Sequence, residues 1–131
     1  MIPSGSRAAL REYGQTHAHG LVTDADPHRL VQMLFDGALD AIAQAKGHMA
    51  RGETPEKGAM ISRAINVVDG LRAALNMDAG GDIARNLRDL YDYVENTLLQ
   101  ANLGNDERAL DEATALLNEI RGAWAAIAPR A

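Results

Sequence analysis

Four histidines and no cysteine bound the metal and nucleophilic chemistry open to this chain of 131 residues. His17 and His19 are spaced like a pair of ligands, but they stand between Gly14 and Gly20 with no third donor in view, so a solvated segment is expected there. His48 lies near the end of a helical pattern beside Lys46 and Gly47. A helix histidine in a bundle can carry a phosphoryl group, which keeps a histidine phosphotransfer signalling bundle using His48 as the alternative function. A cation at that place is also favoured by the helix macrodipole alone. The di-metal carboxylate sites of bundles need Glu-x-x-His pairs, and the chain contains none. Gly80-Gly81 is a lone pair between two helical patterns, not a glycine-rich phosphate loop or dinucleotide turn. No catalytic residue, metal or cofactor is therefore expected, and the chain does not read as an enzyme.

Composition says what scaffold must position such side chains. The chain is 47% hydrophobic but only 4% aromatic, and it holds 24 Ala and 15 Leu against 7 Ile, 5 Val and 5 Thr. That excess of strong helix formers over β-branched residues favours helices throughout. A net charge of -5, with 13 scattered Lys and Arg, argues against nucleic acid, whose binding depends on a concentrated basic patch. No apolar run approaches the length of a membrane span, and the first residues lack a signal peptide's apolar stretch. Without cysteine nothing opposes a cytoplasmic location, and no membrane insertion is expected.

Residues 1–25 show no sustained period and read as a flexible N-terminal arm, although they carry Leu10, Tyr13, Leu21 and Val22. Residues 26–128 read as the folded domain, with 129–131 as a tail. Asp26-Pro27 is a helix start, an N-cap followed by a proline whose missing N–H costs nothing at the first helical position. The first stripe runs Leu30, Leu34, Ala38, Ile42, Ala45 and Met49 and stops near Arg51-Gly52. Thr54-Pro55 repeats the start signal, and Ile61, Ile65, Val68, Leu71 and Leu75 follow until Gly80-Gly81, which is expected to end the second helix. The third stripe is Ile83, Leu87, Leu90, Val94, Leu98 and Ala101, stopped by Asn102, Gly104 and Asn105. The fourth is Leu110, Ala113, Leu117, Ile120, Trp124 and Ile127, closed by Pro129. Four such helices joined by short turns must run antiparallel, so the expected fold is all-α, an up-down-up-down four-helix bundle.

Some apolar residues fall beside these stripes: Val31 and Phe35, Val67, Leu99, and Leu116. Either they widen the core face, or they form grooves that accept amphipathic helices from another chain.

The segments DPHRLVQMLFDGALD from Asp26 to Asp40, KGAMISRAINVVDGLRAAL from Lys57 to Leu75, GGDIARNLRDLYDY from Gly80 to Tyr93, QANLGND from Gln100 to Asp106 and AWAAI from Ala123 to Ile127 follow in an order and spacing that resemble the FliS family of flagellar secretion chaperones. The resemblance covers nearly the whole chain. It implies a cytoplasmic chaperone whose client is the disordered C-terminal segment of flagellin, wrapped around the bundle and folded into helices on it, with other flagellar export or regulatory proteins as further partners. It also implies a role in client binding for Leu10 and Tyr13, which match the family's aliphatic residue three before a tyrosine. Two features depart from the family pattern: Asp26 stands where the family often has serine, and Thr16-His17-Ala18-His19 replaces a commonly apolar stretch. The expected contact residues are thus Leu10, Tyr13, Val31, Phe35, Val67, Leu99 and Leu116.

Overall fold

The computed structural model describes residues 26–127, which form four helices: α1 (Pro27–Ala50), α2 (Thr54–Ala73), α3 (Met77–Gly104) and α4 (Glu107–Ala126). The arm 1–25 and the tail 129–131 lie outside the described residues. Turns of two or three residues join the helices, too short for anything but antiparallel neighbours. Packing runs α1 on α2, α2 on α3, α3 on α4 and α4 back on α1, the closed square of an up-down-up-down bundle.

Local chemistry explains most of the boundaries. Asp26 Oδ1 accepts from the amide of Arg29 at 2.8 Å, and Pro27 opens α1. Asp106 caps α4 in the same way, accepting from the amide of Arg108 at 3.0 Å. Asn105 ends α3 in the left-handed conformation (φ 50°, ψ 47°), a position that asparagine tolerates better than most residues.

Two expected boundaries move. Thr54 is the first residue of α2 rather than its cap; Glu53 holds the cap position and makes no side-chain capping bond. Gly80-Gly81 does not end α2. That helix stops at Ala73, and Asn76 opens α3 by accepting from the amide of Ala79 at 3.0 Å. Gly81 then sits inside α3 as a kink (φ 53°, ψ -129°), which only glycine enters without strain.

The core explains the aromatic-poor composition. Ala38, Ala41 and Ala45 on α1, Ala64 on α2, Ala101 on α3 and Ala113 on α4 are all buried, and small side chains there let helix axes approach toward the close end of the usual range. Larger side chains, Leu34, Ile42, Ile61, Leu71, Val94, Leu98, Leu110 and Leu117, fill the remaining space. Phe35, the chain's one phenylalanine, packs against Tyr91 with ring centroids 6.4 Å apart and tilted by 49°. Burial pushes the Tyr91 phenol up to about 12.

Candidate partner-binding surface

The third stripe holds at Leu87, Val94, Leu98 and Ala101 but not at Ile83 and Leu90. Beyond the Gly81 kink, the inward line of α3 is Ala84, Leu87, Tyr91, Val94, Leu98 and Ala101. Ile83 and Leu90 each precede a member of that line by one residue, about 100° around the helix, and they are 73% and 38% exposed. Their expected place in the core is thus corrected. Hydrophobicity alone favoured Ile83 over Ala84 and Leu90 over Tyr91, whereas the structure seats the small residue and the large aromatic inside.

On the other flank of α3, Leu99 is 47% and Leu103 82% exposed. Since the two are four residues apart, they share a face. The helix therefore presents apolar side chains on both sides of its buried line. Near Leu90, Tyr93 is partly exposed and its hydroxyl donates to Glu112 Oε2 across to α4 at 2.7 Å, a bond to a carboxylate that raises the phenol's pKa. A groove of about 530 Å3 runs there, lined by Tyr93, Thr97, Gln100, Arg108 and Glu112 among others.

The residues expected to make contact separate into groups. Leu10 and Tyr13 lie outside the described residues. Phe35 and Val67 are buried in the core, at 1% and 4% exposure, so a partner reaches them only by displacing bundle side chains. Val31 and Leu116 are half-buried and pack against the core from its edge. Leu99 alone among those described stands well out of the surface. Ile83, Leu90 and Leu103 are apolar and exposed but are not among the contacts expected from the sequence; the signals that could have found them are the one-residue offset of Ile83 and Leu90 from Ala84 and Tyr91 and the four-residue spacing of Leu103 from Leu99.

His17 and His19 lie outside the described residues, whereas His48 has a structural partner. Its Nδ1 donates to Glu53 Oε1 at 2.7 Å, and Arg51 Nε donates to the same oxygen at 2.8 Å. The bonds to His48 and Arg51 hold the Glu53 carboxyl below its ordinary range. This cluster ties the end of α1 to the turn that follows it. Among the described residues no group of three or more histidine, aspartate or glutamate side chains is placed to hold a metal ion, and no helix is long and apolar enough to cross a membrane.

The fold is a four-helix bundle whose third helix carries exposed apolar side chains on both flanks. Residues 9–131 match the family described as flagellar protein FliS. Flagellar secretion chaperone FliSB of Pseudomonas aeruginosa is 46% identical over 116 residues, covering 88% of this chain and 92% of the relative. Flagellar secretion chaperone FliS of Salmonella typhimurium is 44% identical over 125 residues, 95% of this chain and 93% of the relative. The corresponding Bacillus subtilis chaperone is 29% identical over 103 residues, 79% and 76% of the two chains. The chain belongs to the FliS family of flagellar secretion chaperones.

Proposed function

We propose that this protein is a cytoplasmic export chaperone that binds the disordered C-terminal segment of flagellin, prevents premature polymerisation and supports its secretion and filament assembly. The observation that carries the reading is the pair of exposed apolar flanks on α3, Ile83 with Leu90 and Leu99 with Leu103. Exposed apolar side chains at helical spacing on a rigid bundle suit amphipathic helices laid along it. A disordered client must be ordered as it binds, so its affinity comes from a long wrapped surface and not from one deep pocket. Leu10 and Tyr13 on the arm, with Val31, Ile83, Leu90, Leu99, Leu103 and Leu116 on the bundle, are the proposed contacts, and Phe35 and Val67 support that surface from behind. Masking the client's helices would leave a filament end without them.

Seeded filament growth from purified flagellin tests the function. Equimolar chaperone is expected to slow or stop growth, and the same amount saturated beforehand with the isolated C-terminal segment should not. Growth of the full-length client at an unchanged rate would refute the reading.

A further inference from the structure

At the end of the bundle where the α1–α2 turn meets the end of α3, a cleft of about 300 Å3 is lined by residues that include Met49, Glu53, Thr54, Lys57, Leu103 and Asn105. Lys57 is buried, at 4% exposure. Its Nζ donates to the Asn102 carbonyl and to Asn105 Oδ1, both at 3.1 Å, and both acceptors are neutral. None of the ion pairs among the described residues involves Lys57. Buried charges are ordinarily paired, because removing an ammonium from water without a counter-charge is costly. The carboxyl end of α3 supplies roughly half an elementary negative charge beside it, which offsets only part of a full positive one.

The surroundings favour an anion. Thr54, in the cleft wall, begins α2, whose cap residue Glu53 makes no side-chain capping bond, so the positive end of that helix adds to the lysine's field. Two negative features oppose it, the Glu53 carboxylate and the carboxyl end of α1 at Met49, and the Arg51 guanidinium, 2.8 Å from Glu53 Oε1 and just past the end of α1, offsets both. Met49 and the exposed Leu103 add apolar surface to the same wall.

We propose that this cleft binds a carboxylate attached to an apolar group, with the Lys57 ammonium facing the charge and Leu103 and Met49 facing the apolar part. A free small acid and the terminal carboxylate of a peptide offer the same chemistry. The site stands on these residues alone, whatever the identity of the chaperone's client.

The test follows backbone amide signals of Thr54, Lys57, Leu103 and Asn105 by NMR in the full chain. The probes are N-acetyl-leucine, the uncharged N-acetyl-leucinamide, and a short leucine-terminated peptide with a free or an amidated end. Saturable shifts with N-acetyl-leucine and none with the amide are expected. Tighter binding of the free-ended peptide than of N-acetyl-leucine assigns a chain end as the ligand, and equal binding assigns a free acid. Lys57→Gln should weaken N-acetyl-leucine at least about tenfold, or ~1.4 kcal/mol. Because Lys57 is buried, Leu103→Glu, at an exposed position and bringing a like charge to the cleft, provides a second variant expected to weaken binding without unfolding the chain. Equal responses to acid and amide, no saturable shift, or unchanged affinity in Leu103→Glu would overturn the proposal.

Discussion

The indole of Trp124 and the imidazole of His28 stack face to face, with centroids 4.5 Å apart and planes within 8°, while their backbones complete a reciprocal pair of hydrogen bonds. Trp124 Nε1 donates to the His28 carbonyl at 2.9 Å, and His28 Nε2 donates to the Trp124 carbonyl at 2.7 Å. Residues 96 positions apart are thereby joined, and the start of α1 is fastened to the end of α4.

Trp124→Phe keeps an aromatic ring but removes one of the two bonds. It is expected to lower stability by about 1 kcal/mol, the net worth of one part-buried hydrogen bond, which a urea melt would read as a lower midpoint. Hydrogen exchange should rise mainly in the last turns of α4. An unchanged midpoint and exchange pattern would show that the clasp holds nothing.

Glu95 makes stability depend on pH. Its Oε2 is buried and makes no hydrogen bond among the described residues. Its carboxyl is pushed up to about 7 by desolvation first and then by the negative charges of Asp69 and Asp92, against the opposing pull of Arg72. The folded chain therefore holds this proton more tightly than the unfolded chain, whose carboxyl titrates near 4.5. The contribution is fully present below about pH 4.5 and is lost as pH rises through about 7. Glu95→Gln should then match the parent near pH 4 and exceed it at pH 8 by about 1 kcal/mol, a figure reduced for the group's partial exposure. Urea melts at the two pH values check the sign; a variant less stable at pH 8 would reverse it.

Two glycines should respond oppositely to alanine. Gly81 sits at φ 53°, ψ -129°, where a Cβ is strained even though nothing lies within 4 Å of it, so Gly81→Ala should cost about 1–3 kcal/mol. Gly122 is helical, with no neighbour within 4 Å of an added Cβ, and Gly122→Ala should stabilise by about 0.5–1 kcal/mol. Thermal melts of both variants make the comparison, and a stabilised Gly81→Ala would contradict the kink.

The start of α1 was legible because two adjacent residues carry its chemistry. Asp26-Pro27 announces α1 through a cap and a missing N–H, and both are found. The junction of α2 with α3 was harder to read, since a glycine pair serves equally as a terminator or as a kink, and the decision lay with Asn76, whose side chain caps α3. Two positions of the α3 stripe, Ile83 and Leu90, were misread for another reason. Periodicity locates a face to within about one residue, and seating Tyr91 inside, against the hydrophobicity ranking, depends on the tertiary space around Phe35. Ile83 and Leu90, each one residue before a buried neighbour, are left exposed. Phe35 and Val67 were ambiguous in the same way, because stripe-edge residues become core or surface according to how closely the neighbouring helices approach.

The central claim is that the exposed flanks of α3 receive the client, and titration calorimetry with the C-terminal segment of the organism's own flagellin tests it most directly. The expected result is a 1:1 complex at micromolar concentration or tighter. Leu99→Glu and Ile83→Glu should each weaken it by about 2 kcal/mol, roughly thirtyfold, the value of one buried aliphatic side chain, while leaving the melting temperature within a few degrees of the parent because both positions are exposed. No complex at micromolar concentration, or full affinity in both variants, would contradict the account.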